Sequence, residues 1–247
     1  MYGLIGKKLG HSFSADFFTK KFAREGINEC YKLFPLPSIN DLPALLNENK
    51  DLHGLNVTIP YKQEVIPFLN EISEEAKEIG AINVIKISRN DDKYYLKGFN
   101  SDSIGFRVSL LPLLRKDVKR ALILGTGGAS KAVAYVLKKL GVKITFVSRN
   151  PKPNQIDQIS YDNLSEEVIK DNLLIVNTTP LGMFPEVDEC PPISYQFLTP
   201  EHVCYDLVYN PAETKFMKLS KEQGATVKNG LEMLELQALA SWDIWNQ

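Results

Sequence analysis

Cysteine and histidine are scarce in this chain of 247 residues, with three of each: Cys30, Cys190 and Cys204, and His11, His53 and His202. No two of them stand at a CxxC or HxxxH spacing, which argues against a structural metal or a disulfide framework. Charge of one sign is lacking as well. The 29 Lys and Arg nearly cancel the 30 Asp and Glu, for a formal net charge of -1, so no overall field draws nucleic acid or an anionic membrane. The basic cluster RKDVKR at 115–120 is short, is interrupted by Asp117, and reads as a solvated connector. No apolar stretch reaches membrane-spanning length, and no apolar run follows a basic start at the N-terminus. Internal repeats and low-complexity tracts are absent too. These absences predict a cytoplasmic protein without nucleic-acid, membrane or metal partners.

What is present is the composition of an ordinary globular protein, 44% hydrophobic and 24% charged, long enough for two modest domains. Strand-like and helix-like segments alternate throughout. YGLIG, ECYKLF and HGLNVT read as strands. SADFFTKKFAREG reads as a helix with Ser14 as its N-cap and Gly26 as its stop, and SINDLPALLNEN starts at the capping residue Ser38. YKQEVIPFL continues with helical spacing, and SEEAKEIG adds a short helix. INVIKIS and YYLKGFN flank a polar turn at 89–93, the signature of a hairpin. After a helical stretch at 101–114 the pattern restarts with ALILG, GASKAVAYVLKKLG ended by Gly141, and VKITFVS. NLLIVNTT, HVCYDLV and ATVK supply further strands, with AETKFMKLSKEQG as a helix. That alternation predicts an α/β protein whose second part is a parallel, doubly wound sheet. The last helix, GLEMLELQALASWDIW, has no strand after it and could pack on either part.

Several segments carry candidate chemistry. In LILGTGGASKA (122–132) a strand runs into Gly125, Thr126, Gly127 and Gly128, and a helix begins through Ala129. Such glycines permit a tight turn and close approach of a pyrophosphate, which a helix N-terminus favours electrostatically. Ser130 stands at the third glycine position of the GxGxxG pattern, and a plain strand-to-helix turn is the simpler alternative. The next strand ends in Ser148, Arg149 and Asn150, with Lys152 just beyond. No carboxylate is there to bond a ribose hydroxyl, and a guanidinium is there to bind a 2′-phosphate, which favours NADP over NAD, with a plain surface arginine at a strand end as the simpler alternative. GLNVTIPYK (54–62) places Lys62 just past a strand, at a helix start where an ammonium is unfavourable. NSD places Asp102 at the start of another helix, where a capping role is the simpler reading. Paired in space, Lys62 and Asp102 would suit proton transfer during oxidation of an alcohol. Ser12 and Ser14 could receive a carboxylate, or Ser14 could merely cap its helix. Gln237 lies among apolar neighbours on the stripe Gly230, Met233, Gln237 and Ser241. It could reach a substrate hydroxyl or lie half exposed.

Together these segments resemble the shikimate dehydrogenase family, in order and over almost the whole chain. HSFS resembles the family's carboxylate-binding serines, Ser12 and Ser14. GLNVTIPYK resembles its most specific motif, in which Thr58 contacts substrate and Lys62 is catalytic. GAINVI places Asn83, and NSD places Asn100 and Asp102, at the remaining substrate and catalytic positions. GTGGASKA and SRN match the cofactor loop and 2′-phosphate reader. NTTPLGM with Thr178, DLVYNPAETKF with Tyr209, and NGLEMLELQA with Gly230 and Gln237 complete the series. There are departures: Ala15 replaces a usual Pro, KKLG replaces a proline-containing loop, Ser101 replaces the common Thr, and Glu232 and Glu235 enter a more apolar segment.

The resemblance implies a substrate domain over 1–103 completed by a C-terminal helix at 229–247, an NADP-binding Rossmann-like domain over 104–228, and an active site in the interdomain cleft. It implies reversible NADPH-dependent reduction of 3-dehydroshikimate to shikimate. Lys62 and Asp102 would handle the proton, Ser12 and Ser14 the carboxylate, and Thr58, Asn83, Asn100, Tyr209 and Gln237 the ring. Three rivals remain. An NAD-preferring quinate/shikimate dehydrogenase would be expected to carry an acidic residue near position 149. A folate-linked dehydrogenase of similar architecture would not need the paired serines. An inactive ligand sensor should have lost Lys62 or Asp102.

Overall fold

The computed structural model describes residues 1–10, 12–90, 93–151 and 157–247, so His11 and Lys152 lie outside the described residues. The chain divides into two units, Met1–Ile104 with Glu235–Gln247, and Gly105–Leu234.

In the first unit the elements run β1 (Tyr2–Gly6), α1 (Phe13–Glu25), β2 (Tyr31–Pro35), α2 (Leu42–Glu48), β3 (Gly54–Val57), α3 (Tyr61–Glu64), β4 (Glu71–Ile72), α4 (Glu74–Ile79), β5 (Val84–Asn90) and β6 (Lys93–Phe99). They form a sheet of order β2-β1-β3-β5-β6-β4. β1 pairs parallel with β2 and β3, and β5 pairs antiparallel with both β3 and β6. β1 and β3 are buried at every residue, as expected of strands covered on both faces. The expected hairpin is present as β5 and β6, whose last pair is Asn90 with Lys93.

Three local expectations change. Ser12, not Ser14, holds the N-cap position of α1, without a side-chain capping bond. Ser38 caps a short 3-10 turn, Ile39–Asp41, with a capping box to Asp41, and α2 follows it. The helix containing Lys62 is four residues long and passes into the 3-10 turn Ile66–Phe68, with Pro67 near its start, because proline supplies no N–H to continue the helix. Gly26 ends α1 at φ 66° as expected.

The second unit contains most of α5 (Asp102–Leu110), then β7 (Arg120–Leu124), α6 (Gly128–Lys139), β8 (Lys143–Ser148), β9 (Gln158–Ser160), α7 (Glu166–Asp171), β10 (Leu174–Asn177), β11 (Val203–Asp206), α8 (Lys215–Glu222), β12 (Thr226–Lys228) and the start of α9 (Leu231–Trp245). Its sheet, β12-β11-β10-β7-β8-β9, is parallel at every pairing. Val133, Val136, Leu137 and Tyr205 belong to one of its cores, and Ile169, Phe216 and Met217 to another. β4 and β9, two and three residues long, are edge strands that the hydrophobic pattern does not announce.

The rest of α9 belongs to the first unit, which is why no strand follows it. Trp245 stacks on Tyr2 of β1 with ring centroids 4.7 Å apart and donates to the Ile85 carbonyl at 3.1 Å. Phe18 and Phe22 of α1 share that core with Ala238 and Ile244. Glu232, one of the departures, forms an i,i+4 ion pair with Lys228.

Candidate active site

In the first unit, β3 ends at Val57, and the chain turns through Thr58 into α3. The Thr58 amide donates to the Ile5 carbonyl and its carbonyl accepts from the Tyr61 amide, both at 2.9 Å. The Lys62 carbonyl is tied to the Ile82 amide at 2.6 Å, so its backbone is held from two sides. α3 is a single turn and carries little dipole, which removes much of the penalty for an ammonium there. Lys62 Nζ donates to Asp102 Oδ2 at 2.5 Å, and both side chains are largely buried, 16% and 9% exposed.

Asp102 is the first residue of α5 but does not cap it. That task falls to Asn100, whose Oδ1 accepts from the Ser103 amide at 3.2 Å while its Nδ2 donates to the Ala81 carbonyl at 2.9 Å. Asp102 instead faces Lys62 with one oxygen and Asn83 with the other, Nδ2 donating to Oδ1 at 2.8 Å. A carboxylate is favoured at the positive end of a nine-residue helix. Asn83 spends its other amide hydrogen on Ser101 Oγ at 3.0 Å, and its Oδ1 accepts from the Ser101 amide at 2.7 Å. Gln237 is buried, with Oε1 3.3 Å from Ser101 Oγ. Lys62, Asn83, Asn100, Asp102 and Gln237 are therefore linked by direct bonds or through Ser101 and neighbouring backbone. Ser14 lies beside the Tyr31 hydroxyl, while Ser12 and Thr58 are partly exposed.

In the second unit the register places the residues after β7, β8, β10 and β11 along the carboxyl edge of the parallel sheet, since Leu124 pairs with Asn177 and Val147, and Asn177 with Asp206. Ligands of open α/β sheets bind along this edge. Gly125 there has φ 103°, and a Cβ would stand 2.9 Å from Thr178 Oγ1, so glycine is required on two counts. Thr178 braces the turn by donating from Oγ1 to the Leu124 carbonyl at 2.7 Å. A Cβ on Gly127 would meet nothing within 4 Å, leaving open space at the N-terminus of the twelve-residue α6, where a pyrophosphate fits. Ser130 closes the loop by donating to the Gly127 carbonyl at 2.6 Å. Thr126 is exposed, and Gly128 and Ala129 are partly so. Arg149 and Asn150 are exposed at the end of β8, with the Asn150 amide donating to Ser148 Oγ at 3.2 Å. The residues present thus fit a dinucleotide carrying a 2′-phosphate.

A buried polar group escaped the sequence reading. Asp206 at the end of β11 accepts from Asn177 Nδ2 at 2.9 Å, the Val208 amide at 3.0 Å and Thr214 Oγ1 at 2.6 Å. Burial pushes its carboxyl up to about 6, against the pull of those three hydrogen bonds. The segments it ties together carry Thr178 and Tyr209. A lone carboxylate inside the apolar run HVCYDLV was the available signal. Gly230 packs against the same segment: its amide donates to the Val208 carbonyl at 3.1 Å, and a Cβ would fall 2.1 Å from the Leu207 carbonyl oxygen.

No helix of the described residues is long and apolar enough to cross a membrane. Among those residues no three His, Cys, Asp or Glu gather as a metal site.

Residues 4–85 match the family model for the shikimate dehydrogenase substrate binding domain. The whole chain is 42% identical to a Clostridium beijerinckii protein named shikimate dehydrogenase (NADP(+)), of which it covers 92%. Among solved structures, shikimate dehydrogenase from Aquifex aeolicus superimposes with a TM-score of 0.86 at 36% identity, covering 99% of this chain and 91% of that one. Quinate dehydrogenase from Corynebacterium glutamicum, in complex with NAD, superimposes with a TM-score of 0.87 at 28% identity, covering 99% and 92%. With its motifs in order and its length matched throughout, the chain belongs to the shikimate dehydrogenase family.

Proposed function

We propose that this protein reduces 3-dehydroshikimate to shikimate through Lys62 and Asp102, as an NADP-dependent oxidoreductase of aromatic amino acid biosynthesis. The observation that carries this reading is the 2.5 Å contact between Lys62 Nζ and Asp102 Oδ2, with Asn83 holding the other carboxylate oxygen. Bound NADPH supplies the hydride. Lys62 donates a proton to the ketone oxygen as it gains charge, and in the reverse direction it accepts the hydroxyl proton. Asp102 holds the ammonium in place and offsets its charge. Ser12 and Ser14 take the substrate carboxylate. Thr58, Asn100, Tyr209 and Gln237 fix the ring, and Asn83 acts chiefly by orienting Asp102.

Ser12, Ser14, Thr58, Lys62, Asn83, Asn100, Asp102 and Gln237 lie in the first unit, Met1–Ile104 with Glu235–Gln247. The second unit holds the nucleotide: Gly125, Thr126, Gly127, Gly128 and Ala129 take the pyrophosphate, and Ser148, Arg149 and Asn150 take the 2′-phosphate. Thr178 and Gly230 shape the rest of that site. The protein acts in the cytoplasm as a monomer or homodimer, without nucleic acid or membrane.

The deciding experiment mixes purified protein with shikimate and either NADP or NAD, runs quinate in parallel, and follows the absorbance of the reduced nicotinamide. Fast NADP reduction by shikimate supports the reading. Turnover mainly with NAD, or equally with quinate, would move the chain toward the quinate-using relatives. A folded protein that binds nucleotide and turns over nothing would make it a sensor.

A further inference from the structure

The core of the first unit holds polar side chains that the chemistry above leaves without a role. Tyr31 opens β2, Asn56 lies in β3 and Ser241 lies on α9, and all three are buried. An amide in such a place is costly unless it is fully bonded. Asn56 is: its Oδ1 accepts from the Tyr31 hydroxyl at 2.7 Å, and its Nδ2 donates to the Asn83 carbonyl at 3.3 Å and to Ser241 Oγ at 3.0 Å. Ser241 donates its own proton to the Gln237 carbonyl at 2.8 Å, and its Oγ lies 3.0 Å from Ser101 Oγ. Ser101 in turn accepts from Asn83, which holds Asp102. At the other end, the Tyr31 hydroxyl lies beside Ser14. The chain of bonds is continuous from Tyr31, beside Ser14, to Lys62.

We propose that Tyr31 and Ser241 are positioning residues of the active site, joined through Asn56 into a buried strut that sets Ser14 against the Asn83–Asp102–Lys62 group. The inference rests on the reading of Ser14 as a carboxylate ligand and of Lys62 with Asp102 as the proton-handling pair. Proton accounting gives the strut its direction. Both hydrogens of Asn56 and both hydrogens of Asn83 are committed, so neither amide can turn over without breaking two bonds. Ser101 has one proton and three acceptors within reach, Ser241 Oγ at 3.0 Å and Gln237 Oε1 and Asn83 Oδ1 at 3.3 Å. While that proton serves Ser241, it is not committed to Gln237 Oε1. Without the Ser241 hydroxyl, the proton passes to Gln237 Oε1 or Asn83 Oδ1, each at 3.3 Å, and one Asn56 hydrogen loses its acceptor. Substrate carboxylate taken by Ser14 lies beside the Tyr31 end of the strut, so both ends respond to the same molecule.

The test is steady-state kinetics of the full chain with Tyr31→Phe, Ser241→Ala and the double variant, with Lys62→Ala alongside. Tyr31→Phe keeps the ring that stacks on Phe18 at 4.8 Å and removes only the hydroxyl. Ser241→Ala removes one atom at a helical site where alanine is well tolerated. Each single variant should raise KM for shikimate about tenfold, the cost of one buried hydrogen bond, and the double variant should lose far less than the product of the two. KM for NADP should stay within about twofold of the parent value. Unchanged shikimate kinetics in either folded variant, or equal rises in both KM values, would sink the strut. Turnover surviving in Lys62→Ala would instead sink the catalytic reading beneath it.

Discussion

Lys62 and Asp102, forty residues apart in the chain, meet with Nζ 2.5 Å from Oδ2. Each stands at the first turn of a helix, but only the carboxylate is at home there. α5 favours its charge, and α3 is too short to oppose the ammonium strongly. The pair sits with little water around it, held from the far side by Asn83.

Removing the ammonium should therefore abolish the proton transfer while leaving most binding contacts in place. Lys62→Ala is expected to lower kcat by about 10²- to 10⁴-fold, the usual range for a lost general acid or base, with a modest change in KM for shikimate. Near-normal kcat would show that the proton takes another route.

Arg149 is expected to recognise the nucleotide's phosphate and nothing else. Arg149→Ala should raise KM for NADP about 10- to 100-fold, the worth of a hydrogen bond to a charged group, with little effect on KM for NAD. Equal losses with both nucleotides would mean that the guanidinium shapes the loop rather than reading the phosphate.

Asp206 predicts a pH dependence of stability with an unusual sign. Its folded carboxyl sits near 6, above the unfolded reference of 3.8. Between those values the folded form holds a proton that the unfolded form has released, so stability is full below pH 3.8 and declines as pH rises through about 6. The decline is on the order of 3 kcal/mol for a shift of this size. Tyr195 and Cys204 are the other titratable groups that feel this charge. Urea midpoints of Asp206→Asn should lose most of this slope. A variant that kept the parent's slope would assign it to other carboxyls.

Gly230→Ala tests a close approach rather than a charge. The new Cβ would stand 2.1 Å from the Leu207 carbonyl oxygen, so the segment before Tyr209 must move. Overpacking of this kind costs about 1–3 kcal/mol. A lower thermal midpoint and weaker NADP binding are expected together; an unchanged midpoint would show that the segment yields freely.

Much of this was legible in the chain because it is local. The parallel sheet announces itself through buried runs such as ALILG and LLIVN, and Gly125 through the tight turn it permits. Gly26 ends its helix as sequence rules expect, and Ser38 caps, though it caps the short turn before α2. The short edges β4 and β9 carry too few residues for any pattern to emerge. The spacing of YKQEVIPFL promised a longer helix than Pro67 allows. Ser14 looks like a cap because it precedes an apolar run, yet it faces Tyr31 from inside the first turn.

The sequence by itself determined which groups are available: a lysine past a strand, a carboxylate opening a helix, paired serines, an arginine where a carboxylate could have stood. Tertiary structure decided what they do. Asp102 reads as a cap until folding gives the capping bond to Asn100 and brings Lys62 to its free oxygen. Ser241 and Asn56 read as polar intrusions until α9 returns to the first unit and they find each other 185 positions apart. Hydrogen bonds are directional and reach about 3 Å, so a polar side chain's role is set by its neighbours in space, which one-dimensional spacing does not encode.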